Sequence, residues 1–327
     1  MERPDRDGTR RLAVGRGRQA YSSHVSGVPN STSTNDTDQG MTEVQQGMPT
    51  RAVPFRVLVA TDGSSQAHAA LATVVTFPWP VQTRVQAVIA RQGRGAPGIA
   101  ASVRRALARR WPDAEVVVVD KAPVDGILSE AQRFRADVIV VGWRGHGAVR
   151  RLLMGSVSRG VVRRAKCAVL VVRGRPPRVR KIVIGFDASA GAQLAVTLVG
   201  KLVGPRDGHV TLISAVQLMA PSSRGPVVGG IRASISGEVK RINTARTTEA
   251  EKALNRAAEE LDRRGWRTRT VLRTGEPLRE LIAAVDTAQP QVVVVGARGS
   301  SGVRHLLLGS VAEGVLNRLP IPVLVAR

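Results

Sequence analysis

One spacing of glycines occurs twice in this chain, and that repetition restricts it to folds in which a single unit is built two times. Gly142-x2-Gly145-x9-Gly155-Ser156 returns as Gly296-x2-Gly299-x9-Gly309-Ser310, with every member displaced by 154 residues. Asp62 and Asp187 match in the same way, 125 apart, so the second copy carries 29 extra residues between its first and fourth strands. The stretch 217–247, with Gly225-Pro226 and Gly229-Gly230, is where a loop of that size is expected. A length of 327 residues suits two domains of about 100–200 residues each.

Each copy alternates apolar runs with helix-like segments. In the first copy the runs are 55–60, 85–90, 115–119, 137–141 and 167–172, with helices expected over 66–75, 99–110, 127–134 and 156–164. In the second copy the runs are 181–185, 210–215, 268–272, 292–295 and 322–326, with helices expected over 248–264, 278–285 and 310–318. Strands alternating with helices at this spacing imply an α/β fold: two tandem doubly wound domains, each a five-stranded parallel sheet in the order 3-2-1-4-5. The boundaries expected are a disordered polar arm over 1–52, domains over 53–174 and 180–327, and a linker over 175–179 marked by Pro176-Pro177. Two readings of the arm stand: an Arg-rich, transit-like segment, or an extension ahead of a start at Met41 or Met48.

Hydrophobic residues are 43% of the chain but aromatics only 3%, so the cores are expected to be Val, Leu, Ile and Ala. Cys167 is the one cysteine, which excludes an intrachain disulfide and points to a reducing, cytoplasmic compartment. The chain has no apolar run of membrane-spanning length. The net charge of +24 admits two readings, a solvated basic surface or a nucleic-acid face. The basic residues are spread over the whole chain without aromatic interleaving, which favours the former.

In a doubly wound sheet, ligands bind beyond the carboxyl ends of the strands, where the strand order reverses. A glycine ending the fourth strand lets a ribose or phosphate approach the backbone. The final Gly-Ser of each motif sits where the fourth helix begins, at free amides and the positive pole of the helix dipole. Turn glycines and an N-cap would explain one copy as well; two copies, each after a Val-rich strand, favour a ligand site. The chain contains no Walker A sequence, no G-x-G-x-x-G after a strand, no metal-ligand cluster and no Ser-His-Asp pattern.

The spacing G-x2-G-x9-G-[ST] resembles the nucleotide motif of the ATP-binding branch of the universal stress protein family. Val59-Ala60-Thr61-Asp62-Gly63-Ser64 and Ile184-Gly185-Phe186-Asp187-Ala188-Ser189 look like that family's first strand and turn, and 167–172 and 322–325 like its last strand. The resemblance implies adenine-nucleotide binding, ATP and Mg²⁺ included, in a stress-response role exerted through partner binding. It places Asp62 and Asp187 by the adenosine, Ala60 and Gly185 near the base, and Val141 and Val295 in the pocket wall. Gly142, Gly145, Gly296 and Gly299 would face ribose and phosphates. Gly155, Ser156, Val157 and Ser158 would hold the phosphate tail, as would Gly309, Ser310, Val311 and Ala312. Ala90 and Ala215 would touch adenine through their backbones. It also implies that the fifth strands pair across domains, within this molecule or in a homodimer; no membrane partner is expected, and nucleic acid is disfavoured.

Two departures stand out: Ala312 lacks the hydroxyl of Ser158, and the first copy is short near Gly93-Arg94-Gly95, which would leave its pocket more open. Both sites are nonetheless expected to be competent. Slow ATP hydrolysis is the enzymatic alternative, with Asp62 and Asp187 binding Mg²⁺ or polarising a water, or simply fixing the turn. His146 and His68 read as surface residues and Cys167 as a small buried hydrophobe. For Trp143, a base shield and a loop aromatic over the core both remain open. For Arg144 and Arg298, phosphate contact and a solvated loop are both open.

Overall fold

The computed structural model describes residues 9–11, 53–90, 96–144, 154–174, 178–205, 207–220, 229–299 and 308–327. The chain divides into two units, Leu12–Val53 and the remainder, Met1–Arg11 with Pro54–Arg327; the account below concerns the remainder. Gly145, His146 and residues 175–177 of the expected linker lie outside the described residues. So does the arm apart from Thr9–Arg11, which leaves its expected disorder untested.

Thr9–Arg11 is strand β1. The first repeat then runs β2 (Phe55–Ala60), α1 (Ser65–Thr76), β3 (Thr83–Ala90), α2 (Ala96–Ala108), β4 (Glu115–Val119), α3 (Pro123–Phe134), β5 (Val138–Gly142), α4 (Ser156–Arg164) and β6 (Ala168–Val172). The second runs β7 (Lys181–Gly185), α5 (Ala190–Lys201), β8 (His209–Val216), α6 (Gly229–Arg263), β9 (Arg267–Thr274), α7 (Pro277–Ala288), β10 (Val292–Gly296), α8 (Ser310–Arg318) and β11 (Val323–Ala326).

All these strands join one sheet, ordered β1-β4-β3-β2-β5-β6-β11-β10-β7-β8-β9. Each repeat therefore has its five strands in the order 3-2-1-4-5, and all pairs within a repeat are parallel. The repeats meet through their fifth strands. β6 and β11 pair antiparallel, Val171 opposite Val323 and Leu170 opposite Leu324, which removes two apolar edges. A second seam contact obeys the same pseudo-two-fold: Val203 N–H donates to the Pro78 carbonyl at 2.9 Å, from equivalent loops after α5 and α1. Central strands such as VIVVG and VVVVG are unbroken apolar runs because helices cover both faces. α1, α2, α5 and α6 pack one apolar layer, and α3, α4, α7 and α8 the other; both layers run continuously across the seam.

One expectation fails. The extra residues of the second copy were expected as a loop over 217–247, but α6 begins at Gly229 and runs 35 residues. Its first turns mix helix formers such as Ala233, Glu238, Lys240 and Arg241 with Gly229, Gly230 and Gly237, which weaken a helix. Ile231, Ile235, Val239 and Ile242 recur at helical spacing, yet the side chains described over 234–246 are largely exposed. Asn243 anchors the extension by holding the Met219 backbone on both sides: its Nδ2 donates to Met219 O and its Oδ1 accepts from Met219 N, each at 2.9 Å. No helix among the described residues is long and apolar enough to cross a membrane.

Candidate functional site

The carboxyl end of the first strand in each repeat is shaped by its Asp. Asp62 Oδ1 accepts the Ser64 amide at 2.9 Å, and Asp187 Oδ1 accepts the Ser189 amide at 3.1 Å. Between them the chain passes through the left-handed region, at Gly63 (φ 79°) and Ala188 (φ 58°). The serines then cap α1 and α5, each hydroxyl accepting an amide three residues on at 3.2 Å. Both aspartates thus fix the turn, and they stand beside the rim where a ligand would lie.

The glycine motif has a common internal geometry. The amide after the first glycine bonds into the fifth strand, Trp143 N to Val172 O at 2.7 Å and Ala297 N to Ala326 O at 2.8 Å. The third glycine closes the loop on the same residue, Gly155 N to Trp143 O at 2.9 Å and Gly309 N to Ala297 O at 2.8 Å. The first glycine has a separate duty. A methyl group on Gly142 would stand 2.8 Å from Gln66 O, and one on Gly296 2.5 Å from the Gly191 carbonyl carbon. The first turn of α1 or α5 packs against that strand end, so glycine is required there whatever binds.

In the first repeat these elements border a cleft of about 100 Å³. Ala60, Asp62, Ala90, Val141, Gly142, Val157 and Ser158, all expected from sequence, line it together. Gly155 and Ser156 begin α4 with Gly155 half-buried and Ser156 exposed, next to the lining rather than in it. The apolar floor is completed by Val88 and Ile127. Thr61, Ala67, Pro123 and Ile127 were not singled out in the sequence; an α3 that starts on the strand-end rim was the signal for Pro123 and Ile127. Arg144, left open above, borders the cleft. Ser158 is buried and donates its hydroxyl proton to Gly142 O at 2.5 Å, tying α4 to the end of β5. The hydroxyl that Ala312 lacks is therefore a structural tie in the first repeat.

The second repeat places Gly185, Asp187, Ala215, Val295, Gly296, Gly299, Gly309, Ser310, Val311 and Ala312 at the equivalent strand ends and helix start. Its surroundings differ. Gly185 lacks the methyl of Ala60, and Leu281, the counterpart of Ile127, fills that volume: a methyl on Gly185 would stand 3.0 Å from Leu281 Cδ2. Asp187 is exposed, and its Oδ2 lies 2.6 Å from where a Gly299 side chain would begin. Ser189 Oγ donates to Arg298 O at 3.3 Å, which draws the motif loop toward the first turn.

Trp143 is 5% exposed, so it covers the core and is not an open base shield. Arg144 and Arg173 both pack on its ring, their Cζ atoms 4.1 and 4.0 Å from the centroid. His68 is exposed. Cys167 is half-buried; burial first, then the Asp137 carboxylate, pushes its thiol up to about 11. The thiol is therefore protonated at neutral pH, and alkylation by iodoacetamide at pH 7.5 is expected to be at least about tenfold slower than for a free thiol. Mass spectrometry of the folded and unfolded chain checks this. Among the described residues no group of three or more His, Cys, Asp or Glu is placed to hold a metal ion.

Comparison with known proteins now bears on the site. The model of the Universal stress protein family matches residues 79–173 and 178–327. A universal stress protein of Mycobacterium tuberculosis (strain ATCC 25618 / H37Rv) is 33% identical over 208 residues, covering 59% of this chain and 62% of that protein. A second one from the same strain is 32% identical over 207 residues, covering 58% of each. The matches thus span less than two thirds of those relatives' own length. Among solved structures, a universal stress protein from Archaeoglobus fulgidus DSM 4304 has a TM-score of 0.52 at 18% identity, covering 83% of this chain and 98% of that one. A protein of unknown function from Pseudomonas aeruginosa PAO1 has a TM-score of 0.56 at 17% identity, covering 83% and 92%. At these identities the structural likeness concerns the fold.

Proposed function

The chain belongs to the universal stress protein family as a tandem member, and on that premise we propose that it binds ATP at the strand-end site of each repeat and presents a nucleotide-dependent surface to a protein partner in a stress response. One observation carries this reading: seven of the residues that the family resemblance points to, Gly142 of the motif among them, converge on one cleft in the first repeat, at the point where strand order reverses. Adenine would rest on the apolar floor of Ala60, Val88, Ala90, Ile127 and Val141. The ribose would lie by Asp62, and the phosphates would run toward Arg144, Gly142 and the first amides of α4. By its place in the motif, Gly145 would also face the ribose and phosphates. In the second repeat the same roles fall to Gly185, Asp187, Ala215, Val295, Gly296, Gly299, Gly309, Ser310, Val311 and Ala312. With Leu281 over Gly185, that pocket is the tighter fit for the base.

We read these sites as binding sites rather than hydrolytic ones, because each aspartate gives one carboxylate oxygen to its turn. The test is the nucleotide set free when freshly purified protein is heat-denatured, measured per chain by chromatography. One adenine nucleotide for each repeat is expected, on release or after titration with ATP and Mg²⁺. A chain that carries none and takes up none would mean that the motif glycines serve the fold alone.

A further inference from the structure

The two repeats exchange arginines across the seam. Arg173 follows β6 in the first repeat, and Arg327 follows β11 in the second, 154 residues later. Arg173 Nη1 donates at 3.1 Å to the carbonyl of Leu319, the C-cap of α8 in the other repeat. Arg327 Nη2 donates to the carbonyls of Val162 and Arg163, in the last turn of α4 in the first repeat, at 2.6 and 3.3 Å. Arg163 and Glu313 add an exposed ion pair between α4 and α8 at 3.0 Å.

A guanidinium on terminal carbonyls satisfies acceptors that have no intrahelical partner and sits at the negative pole of the dipole. Each of these helices has nine residues, a rod of about 14 Å. Fixing its C-terminus therefore fixes its N-terminus, which is Gly155-Ser156 in one repeat and Gly309-Ser310 in the other. The near end of the first arginine is just as well placed. Arg173 packs on the Trp143 ring together with Arg144, between the motif glycines of its own repeat.

We propose that Arg173 and Arg327 are positioning residues that couple the two nucleotide sites, each linking the motif loop of its own repeat to the phosphate-facing helix of the other. This rests on the nucleotide-binding reading above and concerns its regulation. The direction of coupling follows from charge. Arg173 carries its charge against burial first and the neighbouring Arg144 second, and Arg327 against burial first and Arg298 second. Phosphate beside Arg144 offsets that repulsion and strengthens the Arg173 contact with α8. Occupancy of the first site then favours the second, and linkage makes the effect reciprocal. Ala297 replaces Trp143 in the second repeat, so the link through Arg327 lacks the ring and is the looser one.

The test reads one repeat while changing the other. In a Gly155→Val background, calorimetric titration with ATP reports the second site. Arg173→Gln, a change in the first repeat, is expected to weaken ATP there about 3- to 10-fold, to leave adenosine unchanged, and to be rescued in part by Arg173→Lys. Arg327→Gln in a Gly309→Val background should do the same to the first site, to a smaller extent. An unchanged ATP affinity at the remote site overturns the positioning of the remote helix on which the coupling rests, and with it the coupling, and leaves nucleotide binding intact. Equal losses for ATP and adenosine also overturn it, because they indicate general loosening. A wild-type chain that takes up no ATP overturns the reading beneath both.

Discussion

Gly296→Ala is expected to destabilise the fold by about 3 kcal/mol and, in a chain of this size, to lower its melting temperature by roughly 4–5 °C. Gly309→Ala, thirteen residues on in the same motif, is expected to leave stability within about 0.5 kcal/mol. The contrast comes from what lies around each Cα. A methyl on Gly296 would stand 2.5 Å from the Gly191 carbonyl carbon and 2.8 Å from Ala192 N, both backbone atoms that cannot move without shifting α5. One on Gly309 would stand 3.4 Å from Ala297 O and 3.6 Å from the next atoms, which is ordinary contact, and its φ of −74° suits alanine. The modest loss of capping preference at that position is offset by the reduced freedom of the unfolded chain.

The binding consequences run the other way. Gly309→Ala puts a methyl group where the motif needs bare backbone at the start of α8, and ATP at the second site should weaken about tenfold or more. Denaturant unfolding and calorimetric titration of the two variants, with Gly142→Ala as the first-repeat counterpart of Gly296→Ala, separate the effects. A neutral Gly296→Ala would mean that α5 does not bear on the strand end as closely as described. Wild-type nucleotide binding in Gly309→Ala would make the third glycine a turn residue.

The same pair of glycines shows what could be read from the sequence. Repetition at a fixed offset, Val-rich runs and a strand-helix alternation were enough to anticipate two parallel, helix-covered sheets, because buried parallel strands leave a clear pattern; the fifth-strand seam was legible only through the family resemblance. The duty of each glycine was not readable. Spacing reports that a Cβ is excluded, and it is silent on whether a ligand or a helix backbone excludes it. Gly142 and Gly296 answer to α1 and α5, and Ser158 answers to Gly142 O. The first half of α6 was misread for another reason: Gly225-Pro226 and Gly229-Gly230 signal a loop and outweighed the helical spacing of Ile231, Ile235, Val239 and Ile242, in a segment that is largely exposed and held by the Asn243 clasp on Met219. Arg173 and Arg327 resembled any other arginine in a chain of net charge +24, and the structure is needed to see the helix-end carbonyls they reach across the seam.

Arg144→Gln, made in a Gly309→Val background so that the first site is read alone, is expected to weaken ATP roughly 10- to 100-fold, the loss anticipated for a charge-assisted phosphate contact worth about 1.5–3 kcal/mol. Adenosine should bind as it does to the parent, and ADP should fall between the two. Arg144 borders the cleft while its guanidinium packs on Trp143, so the ring holds it in place ahead of any ligand. A preplaced cation loses little side-chain entropy on binding, which is why a single arginine can account for so large a share. Losing its contact with the ring should cost about 0.5–1 kcal/mol of stability, too little to unfold the chain. ATP affinity of the parent should fall as salt rises, and that dependence should be shallower in the variant. If adenosine and ATP weakened equally, Arg144 would be shaping the pocket through Trp143, and the phosphates would have to lie toward the first amides of α4 instead.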